Sequence, residues 1–148
     1  VLDEPENIAA RAQMQQGAAY AGAAIENSML GAAHAAANPL TAHFDVAHGH
    51  AVGLMLPHVV RFNAADAATH SIYAGLAGEA RMTVEQMADN LGGLLQIAGL
   101  TARLSELGVE RAALPMLAAE AAKQWTAGFN PRPVGEAEFV KLYQVAFD

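Results

Sequence analysis

The sequence predicts an all-α domain, on three observations. Alanine dominates its apolar residues and β-branched residues are sparse, which favours helices because alanine is the best helix former and strands draw on branched and aromatic side chains. No proline interrupts the stretch between Pro5 and Pro39. Thr83-Val-Glu-Gln86 reads as a capping box, in which hydroxyl and amide satisfy free N–H groups at a helix start. At 148 residues the chain is about one domain, with room for a substantial core.

The elements follow in order. Residues 5–37 read as one long helix: Pro5 suits a first turn, Asp3 and Glu4 favour its positive end, and Gly17, Gly22 and Gly31 allow another backbone to approach. Asn38-Pro39 is expected to end or kink it, leaving a bend up to Ala47 that carries His43 and Asp45. A second helix begins near His48 and runs through Leu54-Met-Leu-Pro57-His-Val-Val, with Pro57 kinking or dividing it. Residues 70–79 form a third segment. The capping box opens another, through Leu91, Leu94, Leu95 and Ile97, with a break at Gly108. Residues 111–125 and 136–147 complete roughly six or seven helices. Trp125 and Phe129 are expected to anchor the last helix in the core.

Charge and composition exclude several functions. A formal charge of −7 without any Lys/Arg cluster argues against nucleic acid or an anionic membrane as partner. Apolar runs are short and broken, so no transmembrane span is expected, and no signal peptide is recognisable at Val1. The absence of cysteine removes disulfides and thiolate metal sites and fits a cytoplasmic setting. Val1 in place of Met leaves open a processed form or a fragment of something larger.

Six histidines occur: His34, His43, His48, His50, His58 and His70. A lone histidine in an alanine-rich helix is usually a hydrogen-bonded structural residue. His34 and His48 stand apart from that rule. One comes from the end of an alanine-rich helix and the other from the far side of a proline-containing bend, so both can point into one cleft. Their spacing by itself matches no local ligand rule such as an i, i+4 pair.

The words around the pair carry more. Ala23-Ala-Ile-Glu-Asn27-Ser-Met-Leu-Gly31-Ala-Ala-His34, then Asn38-Pro-Leu-Thr-Ala-His-Phe-Asp-Val-Ala-His48-Gly49, then Leu54-Met-Leu-Pro57-His58-Val resembles the iron-containing (group III) alcohol dehydrogenases. Asn130-Pro-Arg-Pro-Val followed by Leu142-Tyr143 is similar to that family's closing segment. The resemblance implies the family's helical C-terminal domain, of dehydroquinate synthase-like architecture, spanning residues 1–148. It implies that His34 and His48 ligate a divalent metal, iron(II) first and zinc(II) second. It further implies that an alcohol or aldehyde is the substrate, the metal polarising its oxygen while hydride passes to NAD(P). Relatives hold the nicotinamide in an N-terminal domain and add an Asp-x-x-x-His ligand pair upstream. Neither a Gly-rich nucleotide segment nor Asp-x-x-x-His precedes His34 here, so the chain is expected to be a C-terminal portion, inactive alone, whose partners are the missing domain and further copies of itself in a homo-oligomer.

The same resemblance assigns lesser roles. Asn38 occupies a position where many relatives carry a histidine near the substrate; an amide there hydrogen-bonds but does not relay a proton. Ile25 falls where relatives often place Phe against the substrate, which implies a roomier pocket, with plain core packing as the equal alternative. His43, Asp45 and His50 flank the motif and are candidates to orient the ligand rings, a surface position being the simpler reading of His43. His58 looks structural, and His70 has no evident partner. Two other readings stay open, a maleylacetate reductase-like fragment and a non-catalytic helical interaction module. Asn27 and His48-Gly49 favour the alcohol dehydrogenases over the reductases.

Overall fold

The computed structural model describes all 148 residues and contains helices and turns without a strand. Seven α-helices follow in order: α1 (Ile8–Ser28), α2 (Ala32–Phe44), α3 (His48–Ala64), α4 (Ala67–Glu79), α5 (Val84–Ile97), α6 (Leu114–Ala122) and α7 (Glu136–Phe147). Short 3-10 turns cover Leu104–Leu107, Arg111–Ala113 and Trp125–Phe129. The all-α expectation holds, and the capping box at Thr83 forms as the sequence predicts, with Thr83 Oγ1 accepting from the Gln86 N–H and Gln86 Oε1 from the Thr83 N–H. None of the helices is long and apolar enough to cross a membrane.

The first expected helix is in fact two. Met29 adopts φ 71°, which no helix accommodates, and α2 restarts at an extended Gly31. The expected stop at Asn38-Pro39 does not occur. Pro39 is fully buried inside α2, which runs on to Phe44 and ends at Asp45 in the left-handed region, φ 52°. A helical proline forfeits one hydrogen bond and crowds the preceding turn. Here that cost is offset by burial: Ala32, Ala33, Ala35, Ala36, Ala37 and Leu40 are buried with it. Pro57 likewise sits within an undivided α3. The third helix starts three residues earlier than expected, at Ala67, because Asp66 caps it by accepting from the N–H and the hydroxyl of Thr69. Residues 111–125 are not one helix but a turn, α6 and the start of another turn.

Alanine is the reason the core can form. α2 is enclosed by α3, α6 and the turn at Trp125–Phe129, and α3 packs in addition on α4, α5 and α7. Side chains of one carbon let these axes approach closely. The larger apolar groups come from the flanks, chiefly Leu54, Met55, Leu117, Phe139 and Tyr143. Tyr143 of α7 is fully buried and donates its hydroxyl to the Ala36 carbonyl of α2 at 2.7 Å. Burial first, and the Glu120 carboxylate second, push that phenol's pKa upward, so it stays a donor at any ordinary pH.

Two expectations about packing fail. Trp125 and Phe129 are not in the core: they are 63% and 51% exposed and pack edge-to-face on each other, with ring centroids 5.8 Å apart. They cap a surface because the 3-10 turn faces them outward while Thr126 and Ala127 take the buried positions. Nor does any backbone of this chain approach Gly17 or Gly22, where an added Cβ would meet nothing within 4 Å. Helix α1 has no buried residue at all, and Ile8, Met14 and Tyr20 lie exposed on it.

Candidate metal centre

Helix α2 presents one stripe that is not enclosed. His34, Asn38 and Thr41 are half-buried while the positions between them are buried, apart from the residues at the helix end, and the 3, 4 spacing places all three on one face. His48, in the first turn of α3, is exposed. The fold brings the two imidazoles together, with ring centroids 5.5 Å apart and planes tilted by 49°. Two imidazoles bound at about 2.0–2.1 Å to one tetrahedral ion have ring centroids roughly 5 Å apart. Desolvation first, and the neighbouring His48 second, lower the pKa of His34, which keeps its ring neutral and its lone pair free at neutral pH. Both observations fit a shared divalent cation. No group of three His, Cys, Asp or Glu side chains in the chain is placed to hold one, whereas a catalytic site uses three or more protein ligands.

The flanking candidates are engaged elsewhere. Nε2 of His43 donates to Glu120 at 2.8 Å, joining α2 to α6, and Nε2 of His50 donates to the Thr101 carbonyl at 2.7 Å. Asp45 is exposed at the end of α2. Asn38 donates to Gln124 Oε1 at 2.9 Å, next to exposed Trp125. Ile25 of α1 is 40% exposed and shares with His34 the wall of a cavity of about 560 Å3. His58 is half-buried in α3 with an unpartnered Nδ1, and His70 is exposed.

Sequence reasoning missed what holds His34 in place. Asn130 Oδ1 accepts from the Ala32 N–H, in the first turn of α2, at 3.3 Å. The same side chain exchanges hydrogen bonds with Asn63 of α3 at 2.7 and 3.1 Å, and donates to the Arg132 carbonyl at 2.6 Å. Arg132 in turn donates to the Phe62 carbonyl and lies over the Phe62 ring, 4.0 Å from its centroid. The Asn130-Pro-Arg132 run thus clamps the start of α2 to the end of α3. Its signal in the sequence was the proline-flanked Asn and Arg; Asn63, its partner, gave none.

Gly31 is the one glycine this clamp requires. A Cβ there would stand 3.2 Å from Asn130 Oδ1, and Asn130 is tied on every side. Gly31→Ala is therefore expected to destabilise the fold by about 1 kcal/mol. Gly17→Ala and Gly22→Ala, in the exposed α1, are expected to stabilise it by about 0.5–1 kcal/mol each. Urea unfolding of the three variants tests the contrast; equal shifts at all three would mean that Gly31 has no special role.

With the geometry established, comparison with known proteins places the chain. The family model described as "Fe-containing alcohol dehydrogenase family, C-terminal" matches residues 1–147. The chain belongs to the iron-containing alcohol dehydrogenase family. It is similar to a 1,3-propanediol dehydrogenase of Klebsiella pneumoniae, 32% identical over 148 residues that cover 95% of this chain and 38% of the relative. A lactaldehyde reductase of Escherichia coli (strain K12) is 31% identical, over 91% of this chain and 37% of its own length. Among solved structures, an alcohol dehydrogenase from Oenococcus oeni superposes with a TM-score of 0.74 at 28% identity, covering 86% of this chain and 35% of that one. The chain of this iron-containing alcohol dehydrogenase family thus spans little more than a third of the relatives it matches, and corresponds to their C-terminal helical domain.

Proposed function

We propose that this chain is the metal- and substrate-binding part of an NAD(P)-dependent alcohol dehydrogenase, with His34 and His48 as two ligands of a divalent ion, iron(II) first and zinc(II) second. The 5.5 Å approach of the two rings across the α2–α3 corner is the observation that carries this reading. The remaining ligands would come from an Asp-x-x-x-His pair near the start of the helical domain and the nicotinamide site from an N-terminal domain, both outside these residues. When bound, the ion supplies Lewis-acid polarisation of the substrate oxygen. The chain's own residues do the rest of what falls to it. His34, kept neutral by burial, presents a lone pair from a helix that cannot swing, because Asn130 and Tyr143 fasten that helix at Ala32 and Ala36. Ile25 and its apolar neighbours form a largely apolar wall beside His34. Asn38 offers an amide one turn further along the same face, already held by Gln124; His43 and His50 brace α2 and α3 through Glu120 and Thr101.

The test compares two preparations. The intact enzyme is expected to oxidise primary alcohols with NAD or NADP, to lose that activity on chelation, and to regain it with iron(II) or zinc(II). The isolated 148 residues are expected to bind no nicotinamide and to turn over no alcohol. Full activity of a metal-stripped intact enzyme would remove the metal reading, and turnover by the isolated chain would overturn the division of labour.

A further inference from the structure

The cavity that His34 lines says what kind of alcohol fits. It holds about 560 Å3 between α1, α2, α3 and α4, and 10 of its 17 lining residues are hydrophobic. Ile25, Met29, Leu56, Val59, Ile72 and Phe129 contribute apolar wall. Of these, Ile25, Met29, Ile72 and Phe129 are exposed large side chains, with the exposed face of Phe129 braced edge-on by Trp125.

Polar side chains also reach this cavity, but apart from the His34 ring most of their donor hydrogens are committed. Both amide hydrogens and the oxygen of Asn63 are used by Asn130 and Tyr73, and those of Asn130 by Asn63, Arg132 and Ala32. Thr69 donates its hydroxyl to Asp66, and Ser28 donates to the Ala24 carbonyl. Tyr73 accepts from Asn63 and retains a single hydroxyl hydrogen. A second hydroxyl on a substrate entering here would face mostly apolar wall, with the Tyr73 hydroxyl and the His34 ring as the uncommitted donors, whereas a hydrocarbon tail loses nothing.

We propose that the cavity beside His34 selects primary alcohols and aldehydes with an apolar tail over short diols and hydroxyaldehydes. The cavity's size admits such a tail: about 560 Å3 falls within the range of roughly 300–1,000 Å3 typical of small-molecule sites. This inference rests on the alcohol dehydrogenase reading and narrows it. It also sets the chain apart from the 1,3-propanediol dehydrogenase and the lactaldehyde reductase to which it is similar. It agrees with the names of more distant relatives, a butanol dehydrogenase of Clostridium saccharobutylicum at 27% identity and a long-chain-alcohol dehydrogenase of Geobacillus thermodenitrificans at 28%.

The experiment uses the intact, metal-loaded enzyme and two probes, 1-hexanol and 1,3-propanediol. Turnover with the nicotinamide cofactor is one readout, and saturable thermal stabilisation by each alcohol in the absence of cofactor is the other. The expected result is a kcat/KM at least about tenfold higher for 1-hexanol, with saturable stabilisation by 1-hexanol alone. Ile25→Asn places an uncommitted amide in the wall and is expected to bring the two kcat/KM values together. Ile97→Asn, on exposed α5 outside this cavity, is expected to leave the ratio unchanged. Equal or better turnover of 1,3-propanediol overturns the inference, as does a ratio indifferent to Ile25→Asn. Saturable binding of 1-hexanol with no turnover of any alcohol would overturn the dehydrogenase reading while leaving the cavity's preference standing; absence of both signals overturns both.

Discussion

His34→Ala and His48→Ala, each made in the intact enzyme, are expected to lower kcat/KM for an alcohol by at least about 100-fold. Groups that merely orient a ligand cost about 10–100-fold when removed, and a ligand itself costs more. Bound metal measured after purification should fall in parallel. The fold should survive both changes, for reasons visible in the two positions. His34 is half-buried and His48 exposed, neither makes a hydrogen bond to the rest of the chain, and alanine gains about 0.5 kcal/mol of helix propensity over histidine. Loss of metal, with an unfolding midpoint unchanged when the variants and the wild type are both compared metal-free, is thus the predicted pair of results. Wild-type metal content in both variants would sink the assignment; a collapse of stability would mean that the rings serve the fold and not an ion.

How much of this was legible beforehand differs by residue, and the reasons are physical. The helices and the His34–His48 pair could be read because alanine content, a capping box and local wording are properties of neighbouring residues in sequence. The failures share a cause. Pro39 was expected to end a helix on its intrinsic cost, but that cost is met by burial of a kind only the tertiary structure supplies. Met29 and Gly31 gave no sign of the break between α1 and α2, because the partner that fixes it, Asn130, lies 98 residues beyond Ala32. Trp125 and Phe129 were expected in the core on hydrophobicity alone, whereas a 3-10 turn faces them outward. The pattern of a sequence records which residues prefer burial; which buried polar groups find each other is decided at long range.

That long-range pairing yields the largest expected effect on stability. Asn130→Ala removes four hydrogen bonds at once: two exchanged with Asn63, one to the Arg132 carbonyl and one from the Ala32 N–H. Asn63 is only 2% exposed, so its amide oxygen is left without Asn130 and with little access to water. A buried polar group stranded in this way costs about 1–3 kcal/mol, and loss of the oxygen that caps α2 adds roughly 1 kcal/mol. A total near 3 kcal/mol is expected, which for a domain of this size is a fall of about 6–12 °C in Tm. Asn63→Ala should cost a similar amount, because it strands Asn130 in the same manner. The double variant should cost far less than the sum, with a coupling of about 1–3 kcal/mol, since no unpaired amide then remains. Additive effects would show that the two amides act independently and that the clamp is a coincidence of packing. The consequence reaches the proposed metal centre: His34 sits two residues beyond Ala32 in the turn that Asn130 fastens, so Asn130→Ala is also expected to weaken divalent-ion binding by about tenfold, the scale on which supporting groups act. Titration of zinc(II) into the intact apo-enzyme, below the variant's unfolding temperature, separates that loss of alignment from loss of fold.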